Sequence, residues 1–387
     1  MGRMISVVLP TYCEAASIQE VLRLASAALQ KTGEPYELIV VDDSSPDGTA
    51  ELAEALSGEL PVRVVRRPGR SGLAQAVVEG WKAARGDVLG VMDADLQHPP
   101  EVLARLVEAL RGPNVDVVIA SRSEPGGGTR GWSWVRNLTS WIAVHLATCV
   151  LPWTLAEVRD AMSGMFLVRA SALEGVKLEP TGYKILLEVL AKAHYRRFVE
   201  VPYTFGPRHR GNSKLGARQT AEYLIHLARL ARSTGQLRTW VRYAGVGLTG
   251  AIVHLLVLLF LVEQEGWPVA WALPVAIQFA LLSNFAWNNA FTFRTLSGTK
   301  LFVGRGLAGR LGRYEVVCLT GAVLNTCLTL LLLKWKWALP LAAWTGLVLG
   351  GLWNLFFNVP AIWRTLGARG SLRHVAVARP IEWPKVL

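Results

Sequence analysis

Four apolar stretches, near residues 243–262, 269–289, 314–333 and 339–360, each approach the ~20 residues that an α-helix needs to cross a hydrocarbon core. All lie behind residue 240. The 387-residue chain, 51% hydrophobic, is thus divided into a front part patterned like a water-soluble domain and a rear part patterned for lipid. Other residue types divide the same way. All eight aspartates occur at or before Asp160, and fourteen of the fifteen tryptophans occur at or after Trp132. The net charge of +12 raises nucleic acid as a partner, but the arginines cluster beside apolar segments, which points to anionic lipid and phosphate instead. No nucleic acid is expected. The cysteines show no C-x-x-C spacing and read as inert thiols. The apolar run at residues 5–10 is too short for the core of a signal peptide, which places the front part in the cytoplasm.

In the front part, short β-branched runs alternate with helical spacing. Strands are expected at Ile5 onward, Glu37 onward, Val62 to Arg66, Val88 to Met92 and Val115 to Ser121, giving an α/β parallel sheet with right-handed crossovers. The fourth strand ends in Asp93-Ala94-Asp95. Two carboxylates at a strand's carboxyl end suit a hard divalent cation carrying a diphosphate, and in open α/β sheets ligands collect at that end. Tyr12, Asp43, Asp93 and Arg122 fall at the same edge. A glycine-rich helix start, Gly69-Arg-Ser-Gly72, would turn free N–H groups toward phosphate.

The motifs Pro10-Thr-Tyr-x-Glu14, Val41-Asp-Asp-x-Ser-Pro-Asp-Gly-Thr49, Met92-Asp-Ala-Asp-Leu-Gln-His-Pro-Pro100, Ser121-Arg122, Met162-Ser-Gly164, Gly182-Tyr-Lys-Ile-Leu-Leu-Glu188, Val201-Pro-Tyr-Thr-Phe205 and Ser213-Lys-Leu-Gly216 occur in this order. Together they resemble the dolichol-phosphate mannose synthases, inverting family 2 glycosyltransferases of GT-A (Rossmann-like) fold. The resemblance implies that Pro10, Tyr12, Glu14, Val41 and Asp43 hold the nucleotide of GDP-mannose, and that Asp93, Ala94, Asp95 and Gln97 hold Mg2+ or Mn2+ and the donor diphosphate. It implies also that Arg122, Arg136 and Ser140 meet the phosphate of a dolichyl or polyprenyl acceptor, with Arg208 and Lys214 completing the phosphate cradle. Asp93, Asp95, Gln97 and Arg122 would carry the catalysis. The chain departs from the family pattern in two places: Cys13 stands where asparagine is usual, and Ala161 where proline is usual.

Behind these motifs the pattern turns toward the membrane. Trp134, Leu138, Trp141, Ile142, His145, Leu146 and Cys149 repeat at helical spacing in an interfacial helix near 132–152, and Tyr223, Leu224, Leu227, Leu230 and Ala231 form a second such face. Five cations and no acid between Arg294 and Arg313, with a basic tail from Arg364, put both termini and the catalytic part on the cytoplasmic side of a multi-pass protein. The rear part repeats itself: Arg242-Tyr243 with Thr249-Gly-Ala251 recurs as Arg313-Tyr314 with Thr320-Gly-Ala322, and Asn284, Asn288 and Arg294 recur as Asn354, Asn358 and Arg364. With Asn288-Asn-Ala-Phe-Thr-Phe293 it resembles the GtrA-like four-helix module, a duplicated hairpin. The expected domains are 1–212 (GT-A), 213–240 (amphipathic interface helix), 241–365 (an all-α domain of four transmembrane helices) and 366–387 (cytoplasmic tail). The expected activity is inverting mannosyl transfer to a polyprenyl phosphate. A UDP-glucose donor, a processive synthase and a non-catalytic lipid-sugar flippase or scaffold are the competing readings.

Overall fold

The computed structural model describes residues 3–69, 72–155, 157–207, 217–292 and 307–358. They fall into two compact units, the first taking Met1–Val144 and Glu157–Leu230, the second His145–Ala156 and the described residues from Ala231 on.

The first unit is a seven-stranded sheet with strand order β3-β2-β1-β4-β7-β5-β8. β1 (Ile5–Thr11), β2 (Tyr36–Asp42), β3 (Val62–Arg66), β4 (Val88–Val91) and β5 (Val115–Ser121) form where the β-branched runs place them. β1 pairs in parallel with β2 and β4, and β8 (Arg197–Pro202) pairs in parallel with β5. The sheet is not wholly parallel, however. β7 (Phe166–Arg169) runs antiparallel between β4 and β5, so those two strands, parallel to each other, are not neighbours. The start of β7 therefore meets the carboxyl ends of β4 and β5, which brings Met162-Ser-Gly164 to that edge. A two-stranded parallel pair, β6 (Gly128–Thr129) with β9 (Thr204–Phe205), continues from the same edge. The core beneath is aliphatic, with Val7, Leu9, Leu38, Val40, Leu103, Val118 and Leu167 all fully buried.

Helices α1 (Ile18–Gln30), α2 (Thr49–Glu54), α3 (Leu73–Ala83), α4 (Val102–Leu110) and α6 (Ile185–Lys192) flank the sheet. Of the N–H groups expected to face phosphate at the start of α3, two have protein partners, and Arg70 and Ser71 lie outside the described residues. Gly72 N donates to Asp43 Oδ2 at 3.3 Å, and Ala74 N to the Gly182 carbonyl at 3.3 Å.

α5 (Trp134–Val150) carries the first part of the expected apolar face outward, with Trp134, Leu138, Trp141 and Ile142 exposed, whereas Cys149 on the same face is buried. α7 (Ala217–Ser233) differs. Tyr223, Leu227, Leu230 and Ala231, expected to face lipid, are buried in the protein, leaving Leu224 and Ile225 exposed. Core and interface helices share one apolar period, so the spacing alone does not separate them. The expected helix over 213–240 is also two helices, broken at Gly235, whose φ of 74° leaves the right-handed helix before α8 begins.

The second unit is helical: α8 (Gln236–Leu259), α9 (Val269–Trp287), α10 (Leu307–Lys334) and α11 (Leu339–Asn358). Among the described residues three helical stretches, Gln236–Gln264, Val269–Thr292 and Leu311–Lys334, are long and apolar enough to cross a membrane; Leu339–Gly351 in α11 is a shorter apolar stretch. A π-helical turn, Asn288–Thr292, ends the second of these.

Candidate active site

The acidic loop after β4 is held rigidly from several sides. Ala94 is buried, and its carbonyl accepts from Ser17 Oγ at 2.8 Å. Asp95 Oδ1 accepts from Gln97 N at 3.1 Å, an Asx turn that closes over Leu96 at φ 61°. Gln97 is buried. Its Nε2 donates to the Gly206 carbonyl at 3.2 Å, and its own carbonyl accepts from Gly206 N at 2.8 Å. Backbone strain at Leu96 and the tie to Gly206 fix the loop so that Asp93 and Asp95, both half-buried, stand at the sheet edge.

His98 completes this loop and was given no role by its sequence context. It is buried, stacks on Tyr203 with centroids 5.4 Å apart, and places Nε2 3.3 Å from Asp93 Oδ2. Gly164 closes against the same pair: a Cβ there would overlap Asp93 Oδ2 and come within 3.0 Å of His98 Nε2.

The donor set fits a hard divalent ion. Two half-buried carboxylates, oriented by an imidazole and a packed glycine, are oxygen ligands of the kind Mg2+ and Mn2+ take. Among the described residues no group of three or more His, Cys, Asp or Glu side chains stands ready to hold a metal. Such a pair suits an ion that completes its shell with phosphate oxygens and water.

The nucleotide-side residues lie along the ends of β1 and β2. Pro10 and Val41 are opposed in register and buried, and Thr11 Oγ1 donates to Asp42 Oδ1 at 3.0 Å. Tyr12 and Glu14 follow, both half-buried. Asp42 also accepts from Ser45 N and Oγ, at 2.8 and 2.6 Å, so it shapes the turn. Asp43 is buried and ion-paired with buried Arg67 at 2.6 Å, while Arg67 also reaches Glu79 at 2.8 Å. The charge of Asp43 is thus compensated inside the protein.

On the opposite side Arg122 arrives already paired. Its Nε and Nη2 donate to the two oxygens of Asp160, each at 2.7 Å, and its backbone N adds a third bond at 2.9 Å. Burial pushes the Asp160 carboxyl up, but the Arg122 hydrogen bonds and charge outweigh it and hold the group below the usual carboxylate range. Glu200 in turn accepts from the backbone N of Arg159 and Asp160, at 2.8 and 2.9 Å. The Trp132 ring lies between two arginines: the Arg122 guanidinium carbon is 5.5 Å from its centroid and that of Arg136 is 4.2 Å. Arg136 and Ser140, one turn apart on α5, are both half-buried. Arg208 and Lys214 lie outside the described residues.

Lys184 is a further cation that the spacing did not single out. Its Nζ donates to the Met162 carbonyl at 2.6 Å, beside the Arg122–Asp160 pair and Asp93. Burial, helped by the charge of Arg122, pulls it down to about 8 against the attraction of Asp93 and Asp160. The edge therefore gathers a pair of carboxylates, the ends of β1 and β2, and a band of arginine and lysine beside an outward apolar helix, an arrangement suited to moving a group between two phosphorylated partners.

Comparison with known proteins gives the family. The family described as Glycosyl transferase family 2 matches residues 6–176, and GtrA/DPMS, transmembrane domain, matches residues 242–363. A dolichol-phosphate mannosyltransferase of Pyrococcus furiosus is 39% identical over 361 residues, 93% of this chain and 99% of that protein. One of Saccharomyces cerevisiae is 37% identical over 236 residues, 58% of this chain and 86% of that protein. Among solved structures, glucosyl-3-phosphoglycerate synthase from Mycobacterium tuberculosis with Mn2+ and UDP is 24% identical, covers 60% of this chain and 80% of that one, and superposes with a TM-score of 0.47. The chain belongs to glycosyltransferase family 2, among the dolichol-phosphate mannosyltransferases with a GtrA/DPMS transmembrane domain.

Proposed function

We propose that this membrane enzyme transfers mannose, with inversion, from GDP-mannose to a dolichyl or polyprenyl phosphate at the cytoplasmic membrane face. The observation that carries the reading is the 39% identity to a dolichol-phosphate mannosyltransferase across 93% of the chain, front and rear parts alike. The acceptor is a phosphate monoester with a second pKa near ~6, so it is a dianionic nucleophile around neutrality and needs no general base. That suits an edge at which two buried acids, Asp43 and Asp160, are tied to arginines.

Pro10, Tyr12, Glu14, Val41 and Asp43 receive the nucleotide. Asp93 and Asp95 would hold Mg2+ or Mn2+, with Ala94 and Gln97 fixing the loop; when bound, the ion supplies Lewis-acid neutralisation of the leaving diphosphate. Arg122, Arg136 and Ser140, with Arg208 and Lys214, hold acceptor and donor phosphates through charge-assisted hydrogen bonds. The four apolar segments anchor this site to the bilayer with both termini cytoplasmic, and the division into 1–212, 241–365 and 366–387 describes these roles, with 213–240 shared between α7 and the start of α8.

Turnover of purified chain with GDP-mannose against UDP-glucose tests the donor. Asp95→Asn should abolish transfer and metal-dependent donor binding in a folded protein; wild-type rates in that variant would remove the metal assignment. Faster transfer from UDP-glucose would replace the mannosyl reading.

A further inference from the structure

Two arginines at the sheet edge share one aromatic ring. The guanidinium carbon of Arg122 lies 5.5 Å from the Trp132 centroid, and that of Arg136 lies 4.2 Å from it. Trp132 comes between β6 and α5, is half-buried, and packs on the apolar core of the first unit. Phe205 of β9 meets it in a T-shaped contact, with centroids 5.5 Å apart and planes at 79°, so the orientation of the indole is set from the sheet. The same Phe205 ring lies 5.6 Å from the Arg122 guanidinium carbon. The indole Nε1 is buried and has no hydrogen-bond partner among the described residues. What Trp132 offers its neighbours is therefore its π system and not its donor.

The two arginines reach this ring from different supports. Arg122 is fixed at the end of β5: Asp160 takes its Nε, Nη2 and backbone N, which leaves Nη1 to a ligand, and its side chain is 12% exposed. Arg136 comes from the first turn of α5, the helix whose apolar side chains point outward. Two guanidiniums brought to one place repel each other, and ordering each long side chain costs entropy. A ring whose negative π face attracts cations offsets both costs before any ligand arrives.

We propose that Trp132 is a positioning residue for the acceptor, holding Arg122 and Arg136 as one preorganised pair for a dianionic phosphate monoester. The inference rests on the acceptor role proposed for these two arginines. It adds a residue that acts through them and needs no contact with the phosphate itself. A preorganised pair loses less freedom when phosphate binds, so the benefit falls on acceptor affinity and not on the donor.

The test uses the full-length protein in nanodiscs with a short prenyl phosphate as acceptor. Trp132→Leu should raise the KM for prenyl phosphate about tenfold, the order expected for two partly desolvated cation–π contacts, while kcat and the KM for GDP-mannose move much less. Trp132→Phe keeps a π face and should recover part of the loss. In an Arg136→Ala background the leucine substitution should cost less than it does alone, because one of the two contacts it removes is already absent. If Trp132→Leu folds poorly, mono-, di- and trifluorotryptophan in place of Trp132 keep the shape of the ring while weakening its quadrupole. Calorimetric affinity for prenyl phosphate, measured without donor, should then fall stepwise along the series at a constant unfolding midpoint. Equal affinity across the series in a chain that does use prenyl phosphate, or a loss confined to kcat or to the donor KM, overturns the role of Trp132 and leaves the acceptor assignment standing. A wild-type chain that neither binds nor uses prenyl phosphate removes that assignment and this inference with it.

Discussion

Gly164 lies against the Asp93 carboxylate so closely that no side chain fits between them, with His98 on the same side. Gly164→Ala should therefore displace Asp93 while leaving the sheet intact. A misplacement of about 1 Å at a reacting centre can cost roughly 10²-fold in rate. Transfer should fall by that order with an unchanged unfolding midpoint. An alanine variant with wild-type turnover would mean that Asp93 tolerates displacement and is no metal ligand.

The Arg122–Asp160 pair yields a separate expectation, about stability. Removing one partner of a buried pair leaves the other charge uncompensated, at a cost of about 3 kcal/mol. Asp160→Asn should lower the unfolding midpoint in detergent accordingly, because Arg122 keeps its charge and is only 12% exposed. Replacing both residues by a neutral, similarly sized pair should recover much of the loss. If Asp160→Asn unfolds like the wild type, Arg122 is solvated by phosphate or water and not held by the carboxylate.

These two relationships also mark where sequence reading runs out. The five parallel strands and the acidic loop are legible because β-branched runs and an Asp-x-Asp are local signals. β7 is only four residues long and its antiparallel insertion is decided by tertiary pairing, so nothing in Phe166–Arg169 announces it. Asp160 meets Arg122 from 38 residues away, and Arg67 meets Asp43 from 24, distances over which no spacing rule operates. Arg122 was legible as a cation at the edge; that its charge is already matched was not. For α7 the period was correct and the surroundings were not, since packing chose which of two apolar faces to bury. The glycine and asparagine repeat was visible as a repeat, yet only the fold seats Asn284 against Gly250 and Asn354 against Gly321.

Cys13 occupies the left-handed region with φ 58°, and its N–H donates to Ser45 Oγ at 2.9 Å. Asparagine and glycine adopt that conformation at less cost than other residues. The departure from the usual asparagine thus places a strained residue in the first nucleotide-side loop. Cys13→Asn should stabilise the protein by about 0.5–1 kcal/mol and keep transfer intact. A lower midpoint would show that the thiol makes contacts worth more than the relief of strain.

Glu188 on α6 links three pieces of the first unit. It lies 2.8 Å from His226 Nε2 on α7 and 2.5 Å from Lys192 Nζ, and it accepts from Glu179 N at 3.0 Å. Burial raises its pKa, but these partners outweigh burial and bring it down from the ordinary 4.5 to about 2. A carboxylate depressed in the folded state contributes stability that is fully present above the unfolded value and is lost as pH falls through the folded one. The window is therefore about pH 4.5 down to about 2. Glu188→Gln removes the ionisation while keeping the shape, so the variant should be less stable than the wild type at pH 6, and the gap should close as pH falls toward 2.5. Unfolding midpoints of both proteins across that range measure it. A gap that stays constant with pH would mean that Glu188 is protonated, or equally shifted, in both states, and that α7 is docked by its apolar face alone, through Tyr223 and Leu227.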